Sequence, residues 1–325
     1  MSATAAPAGQ RVSVVIPVLN AGPYLKALLK ALLAQRPEPP GEIILVDSNS
    51  ADNTRDIAAA FPSVRVLPIS DFSHGRARNM GAREAKGDII ALMTQDALPR
   101  DSIWLSALLE PFADPAVGAA YSRQTPRPDA PLTEIFFLGY HFPDGPAIRR
   151  EKKGAEQLSF QTVFFSNVSA AIRRGLLLRF PFDENLIMSE DQQFSRDIMN
   201  AGFAVVYQPK SVVIHSHNYS LKTVFRRYFD SVYSLTVIFR DHGIGTSAAI
   251  GLRYLRKEFA WMLTRHPLRL PYYALYVTAK ASGTAAGHFA EKMPDWLLRR
   301  LSLHSYHWRR KSAATPAACQ ANGKP

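Results

Sequence analysis

The chain has 325 residues, 47% of them hydrophobic, enough for one large domain with an appendage or for two domains. Its one cysteine, Cys319, excludes an internal disulfide framework; the Ala/Pro-rich Met1–Gln10 lacks the marks of a signal peptide, and no 18-residue apolar run suggests a membrane span. The net charge of +12 is uneven, with 22 Lys/Arg against 22 Asp/Glu in residues 1–218 and 17 against 5 in 219–325, so an anionic surface is the expected partner of the last third, a solvated basic helix face being the alternative.

From Arg11 to about Met93, β-rich runs alternate with helical patterns. Strands are expected at 12–18, 42–47, 64–68 and 88–93, and helices near 23–35, 52–60 and 75–85. The alternation implies βαβ units and a parallel sheet, an α/β fold. Ser50 or Asp52 can cap the second helix, and Asp101 precedes the apolar Trp104, Leu105, Leu108 and Leu109. The stretch from Arg123 to about Gln161 is rich in Pro, Gly and charge and reads as long loops. A β-like run follows at 162–172, then a helix over 189–201 ended by Gly202, then two short strands, 204–208 and 212–215. Beyond Ser220 the apolar spacing is helical, from Leu221, Val224 and Phe225 to Val232. Residues 270–279 are apolar and aromatic but too few to span a bilayer, and Trp296 to Leu301 make another amphipathic helix. Residues 312–325 read as disordered.

Several side chains at these boundaries can carry chemistry. Asp47 ends an apolar strand, where open α/β sheets place ligands, and can accept from a base N–H or a ribose hydroxyl; capping the next helix is the alternative. Arg76 and Arg78 flank a helix start at Gly75, a natural diphosphate site, with a surface ion pair the plainer reading for Arg76. Asp96 can hold Mg²⁺ or Mn²⁺, and His215 and His217, two apart at a strand end, can add an imidazole or simply bond backbone. Glu190-Asp191 opens a helix, where negative charge is favoured in any case; one of the two can also take a proton from an attacking hydroxyl. There is no glycine-rich dinucleotide fingerprint, no P-loop and no zinc spacing.

In order, Val14-Val15-Ile16-Pro17-Val18-Leu19-Asn20, Val46-Asp47-Ser48-Asn49-Ser50, Ala77-Arg78-Asn79-Met80-Gly81 and Glu190-Asp191 resemble glycosyltransferase family 2, from about Val12 to Tyr233. Phe72-Ser73-His74-Gly75, Thr94-Gln95-Asp96-Ala97 and His215-Ser216-His217 are similar to segments of bacterial rhamnosyltransferases. The wider family's Asp-x-Asp has Thr94 at its first position here. The resemblance implies a GT-A fold, a Rossmann-like nucleotide-sugar-binding sheet with flanking helices over 11–218, followed by a basic helical region over 219–311. It also implies an inverting transfer, with L-rhamnose from dTDP-rhamnose as the expected donor and a glycan or lipid-linked acceptor. In that reading Pro17, Asn20, Asp47, Ser50, His74, Arg78 and Gln95 bind the donor, and Asp96, His217 and His215 hold Mg²⁺ or Mn²⁺. Asp191 is the base and Glu190 positions it. The basic region, with interleaved aromatics and no recognised nucleic-acid module, is expected to sit on anionic lipid at the cytoplasmic face of the inner membrane. Within the family another donor such as a UDP-sugar is the alternative; from other classes, a nucleotidyltransferase and a non-catalytic membrane adaptor are the rivals. The first wants a glycine-rich, lysine-bearing loop where Pro17-Val18-Leu19-Asn20 stands. The second gives Asp47, Asp96 and Asp191 no purpose.

Overall fold

A computed structural model describes residues 11–154, 157–240 and 244–314. The expected tail at 1–10, and most of that at 312–325, lie outside these residues; 312–314 belong to the last helix. The described residues fall into two compact units, one within Met1–Glu184 and Glu190–Asn218, the other within Asn185–Ser189 and Tyr219–Pro325.

The first unit is a mixed α/β sheet. In chain order it runs β1 (Val12–Val18), α1 (Gly22–Leu33), β2 (Glu42–Asp47), α2 (Thr54–Ala59), β3 (Val64–Pro68), α3 (His74–Glu84), β4 (Ile89–Met93), β5 (Leu98–Pro99) and α4 (Trp104–Leu109). It continues with β6 (Val117–Thr125), α5 (Leu132–His141), β7 (Ile148–Arg150), β8 (Ser169–Arg173), α6 (Arg174–Arg179), α7 (Glu190–Asn200) and β9 (Ala204–Ile214). Nine strands among the described residues are ordered β3-β2-β1-β4-β8-β6-β9-β5, with β7 also on β9. The first four are parallel, and β8 joins β4 and β6 antiparallel. Covered on both faces, β1, β2 and β4 are continuous apolar runs. Leu25, Leu28, Leu29 and Leu32 give α1 one buried stripe against them. The sheet's order turns back at β1, between β2 and β4, so its ligand crevice is expected off the carboxyl ends of β1 and β4.

Three local expectations change. The Pro- and Gly-rich stretch after Arg123 contains the ten-residue helix α5 rather than loops alone. The β-like run at 162–172 becomes strand only from Ser169, leaving 162–168 as a connecting segment. The two short strands near 204 and 212 are one, β9, bent by a register shift against β6 between Ser122 and Arg123.

The second unit is helical: α8 (Leu221–Ile238), α9 (Ile244–Arg265), α10 (Leu270–His288), α11 (Asp295–Leu301) and α12 (Ser305–Ala314). Helix α10 lies close on α8 because Gly283 and Gly287 lack side chains. A Cβ on either would come within 2.3 Å of the Phe225 carbonyl or 2.6 Å of the Phe229 carbonyl. Phe229, Tyr233, Leu298 and Trp308 form its core with Ile187. Buried Glu258 accepts from the Tyr254 and Tyr273 hydroxyls, with Lys280 Nζ 4.0 Å away. Among the described residues no helix is long and apolar enough to cross a membrane.

Candidate functional site

The carboxyl ends of β1, β2 and β4 are laced together by short polar side chains. Asn20, at φ 50°, donates its N–H to Ser50 Oγ at 2.9 Å and accepts from Ala51 N through Oδ1 at 2.9 Å. Gln95, just past β4, accepts from Leu19 N at 2.8 Å and donates to Leu19 O at 3.1 Å. Pro17 sits in β1 opposite Val46. Fully buried Asp47 accepts from Ser50 N (3.0 Å), Ser50 Oγ (2.6 Å) and Arg55 Nε (2.6 Å). Burial pushes its carboxyl up, but the bonds from Ser50 and Arg55 outweigh this and hold it below the usual range. Asn20, Asn49 and Ser189 are the non-glycine residues with positive φ among those described. All three adjoin this site or the acidic pair below, and such backbone costs of order 1–3 kcal/mol each.

Asp96, between β4 and β5, meets two histidines that follow β9. Its Oδ2 lies 3.6 Å from His215 Nε2 and 3.8 Å from His217 Nδ1, and one ligand atom from each residue falls within 4.8 Å of the others. Adjacent ligands of one ion with bonds of about 2.1 Å stand roughly 3 Å apart, so a shift of less than about 1 Å closes the first two pairs on a cation. Gln124 orients this group: its Nε2 donates to Ser166 Oγ at 3.0 Å, and its Oε1 lies 2.9 Å from His215 Nδ1. In that arrangement Nδ1 carries the proton and Nε2 keeps its lone pair toward Asp96. Arg127 braces both loops, donating to Asp96 O at 2.6 Å and to Ser216 O at 3.0 Å. Thr94 Oγ1 is buried without a hydrogen-bond partner, an orphaned polar atom two residues before Asp96. The donor set, one carboxylate with two imidazoles, fits a divalent cation.

The acidic pair heads α7. Glu190 is buried and accepts from Arg78 Nη1 at 2.6 Å and from Asn167 Nδ2 at 3.4 Å. Asp191 accepts from backbone N–H groups, those of Asn167 at 3.2 Å and Gln192 at 2.9 Å. Burial, and then the Glu190 charge, push the Asp191 carboxyl up to about 7, against the pull of the Asn167 N–H and Arg78. Arg78, expected on a diphosphate, is buried four residues into α3 with Glu190 as its partner. His74, also expected on the donor, opens α3, stands edge-on to Phe72 at 5.2 Å and lends its carbonyl to Arg78. Arg76 makes the ion pairs expected of it, with Asp71 and, at 2.8 Å, with Glu184.

One dipeptide connects the two groups. Ser166 meets the amide that holds His215, and Asn167 touches both Glu190 and Asp191. Gln124, Arg127 and Asn167 were not singled out from the sequence. Gln124 stands in the polar run Ser122-Arg123-Gln124-Thr125 that ends strand β6, and that pattern did not mark it out.

Comparison with known proteins gives the family of the chain. The family model for glycosyl transferase family 2 matches residues 13–179. An O-antigen chain rhamnosyltransferase of Salmonella typhimurium, RfbN, is 31% identical over 303 residues, covering 92% of this chain and 96% of its own. Its counterpart from Salmonella anatum, WbaN, is 29% identical, covering 91% and 95%. Among solved structures, the mannosyltransferase PcManGT of Pyrobaculum calidifontis, in complex with GDP-mannose and Mn²⁺, superposes with a TM-score of 0.55 at 19% identity. That match covers 94% of this chain and 86% of the other and speaks for the GT-A fold.

Proposed function

The chain belongs to glycosyl transferase family 2 and is a glycosyltransferase, and from that premise we propose that it transfers L-rhamnose from dTDP-rhamnose, with inversion, to a hydroxyl of a glycan or lipid-linked acceptor. The observation that carries the reaction type is Asp191, a carboxyl with an affinity for protons near neutrality beside a fixed acidic partner. Both full-length relatives bear the name of O-antigen rhamnosyltransferases, which supports the sugar and a cell-surface polysaccharide as destination.

In this reading ionised Asp191 takes the proton of the acceptor hydroxyl as that oxygen bonds to the anomeric carbon. The bond from that carbon to the diphosphate oxygen breaks on the opposite face, and dTDP leaves with the electron pair. Glu190, fixed by Arg78 and Asn167, keeps negative charge beside Asp191 and so keeps it basic. Asn20, Ser50 and Gln95 set the shape of the strand tips under the nucleoside, next to Pro17. Asp47 reads the base once Arg55, whose side chain is half exposed, swings aside. His74 lies at the head of α3, toward the donor. Asp96, His215 and His217 would hold a divalent cation, Mn²⁺ rather than Mg²⁺ because imidazole is a poor ligand for the harder ion; when bound it would offset the charge of the departing diphosphate. Sequence charge in residues 219–325 supports peripheral attachment to anionic lipid on the cytoplasmic face of the inner membrane, where a lipid-linked acceptor would be met.

The test is release of nucleoside diphosphate by purified protein with Mn²⁺, offered dTDP-rhamnose, UDP-glucose and GDP-mannose in turn. Turnover of dTDP-rhamnose above the other two is expected. Preference for another donor overturns the sugar assignment and leaves the transferase standing. Undiminished Mn²⁺ affinity of Asp96→Ala in the presence of dTDP overturns the metal assignment.

A further inference from the structure

Helices α9 and α10 carry a second apolar surface that sugar transfer leaves unused. The buried face of α9 is Tyr254, Glu258 and Met262. Leu252, Phe259 and Leu263 are each about half exposed and, at about 100° per residue, lie within roughly 40° of one another on a different side of that helix. This stripe leads to the turn Pro267–Arg269, where Leu268 is 93% exposed, and resumes on α10 with Tyr272 and Leu275. Exposed apolar side chains gathered along α9, the turn and the start of α10 in this way mark an interaction site. Its border is basic: Arg253, Arg256, Arg265 and Arg269 are exposed, and no Asp or Glu occurs between Glu258 and Glu291.

We propose that the turn between α9 and α10 is where this chain enters an anionic lipid surface. Leu268 leads into the acyl boundary, Leu263, Tyr272 and Leu275 follow to headgroup depth, and Arg265 and Arg269 meet lipid phosphates. The inference rests on the membrane attachment proposed above and gives it a place. Two other occupants fit less well. A second copy docked across a two-fold axis would cover the apolar stripe but bring the arginine border against its own duplicate. A nucleic acid would use the arginines and leave a fully presented leucine unexplained.

Flotation of the full-length chain with vesicles tests this, comparing phosphatidylglycerol/phosphatidylethanolamine with phosphatidylcholine alone, at low and high salt. The parent should float with the anionic vesicles, less so in high salt. Leu268→Asp and the pair Arg265→Glu/Arg269→Glu should each lower that partition by about tenfold or more. Phe289→Asp, which changes an exposed apolar residue at the far end of α10, should not. Unchanged donor hydrolysis by Leu268→Asp shows that the variant is folded. If the parent floats and Leu268→Asp floats equally well, the turn is not the docking point although attachment stands. If the parent stays with the phosphatidylcholine-only and lipid-free fractions throughout, attachment itself fails. If light scattering shows a parent dimer that Leu268→Asp converts to monomer, the surface belongs to a second copy and the lipid proposal is overturned.

Discussion

Asp47 at the tip of β2 and Asp191 at the head of α7 both have an arginine near, yet their acidities move in opposite directions. Asp47 takes a hydroxyl, a backbone N–H and the Arg55 guanidinium directly, and is held below the ordinary range. Asp191 takes two backbone N–H groups, while the nearest arginine gives its short bond to Glu190. The charge of Glu190 then adds to the cost of burial. What separates the two sites is therefore the balance between burial and donors: the bonds to Asp47 outweigh its burial, whereas burial and the Glu190 charge outweigh the two N–H groups on Asp191. One carboxylate is set to stay ionised and the other to exchange a proton near neutral pH.

The largest consequence belongs to Asp191. Asp191→Asn should lower sugar transfer by about 10²–10⁴ while calorimetry finds dTDP affinity unchanged. Since only the ionised carboxylate accepts a proton, the parent's rate should climb as pH rises through about 7 and level off above it. The residual rate of the variant should be flat there, and a flat parent profile would assign the base elsewhere. Next comes Arg78→Met, which strands Glu190 in the interior without its cation. Both side chains are almost wholly buried, so a loss of about 3–5 kcal/mol in chemical denaturation is expected. Adding Glu190→Gln to that variant should restore much of the loss. If it does not, the cost lies in packing around Arg78 and not in the stranded charge.

These two sites were unequally visible in the sequence. Parallel strands covered on both faces are nearly unbroken apolar runs, so 12–18 and 42–47 were legible to the residue, and with them the position of Asp47 at a strand tip. The acidic pair was legible as a helix start. Its partner was not: Arg78 lies 112 residues away, and a helix start with flanking arginines gave a more obvious use for it. Gln124 was lost because the charge and Pro content after Arg123 suggested loops, although β6 runs on to Thr125. Helix α5 was lost for the same reason, its neighbours hiding a ten-residue run that begins after Pro131.

Stability should show the opposite signs directly. The folded value of Asp191, about 7, exceeds its unfolded value near 4, so its contribution is fully present below the unfolded value and is lost as pH rises through about 7. Asp191→Asn carries no such loss and should melt above the parent at about pH 8, on the order of a few degrees, and match it near pH 4. Asp47 is the reverse case. Its folded value lies below the unfolded one, so its contribution is present above the unfolded value and is lost as pH falls through the folded value. Asp47→Asn should melt below the parent at neutral pH, and the gap should narrow in strong acid. Two variants displaced in the same direction at about pH 8 would dissolve the contrast between the sites.

The smallest effect is expected at Arg55, and it separates the two arginines. Arg55 is half exposed while Asp47 beneath it is fully buried; Arg78 and Glu190 are enclosed together. A half-exposed ion pair is screened by water, and Asp47 keeps both Ser50 bonds without it, so Arg55→Ala should cost no more than about 1 kcal/mol. If a base must displace Arg55 to reach Asp47, that cost is already part of nucleotide binding in the parent. Removing the side chain then leaves dTDP affinity equal or raised, by a factor of up to about five for 1 kcal/mol. Weakened binding would mean that Arg55 itself holds the nucleotide, with Asp47 orienting the arginine instead of reading the base. The arginine over Asp47 would then be a ligand-binding group, whereas the one against Glu190 stays a buried counter-charge in either case.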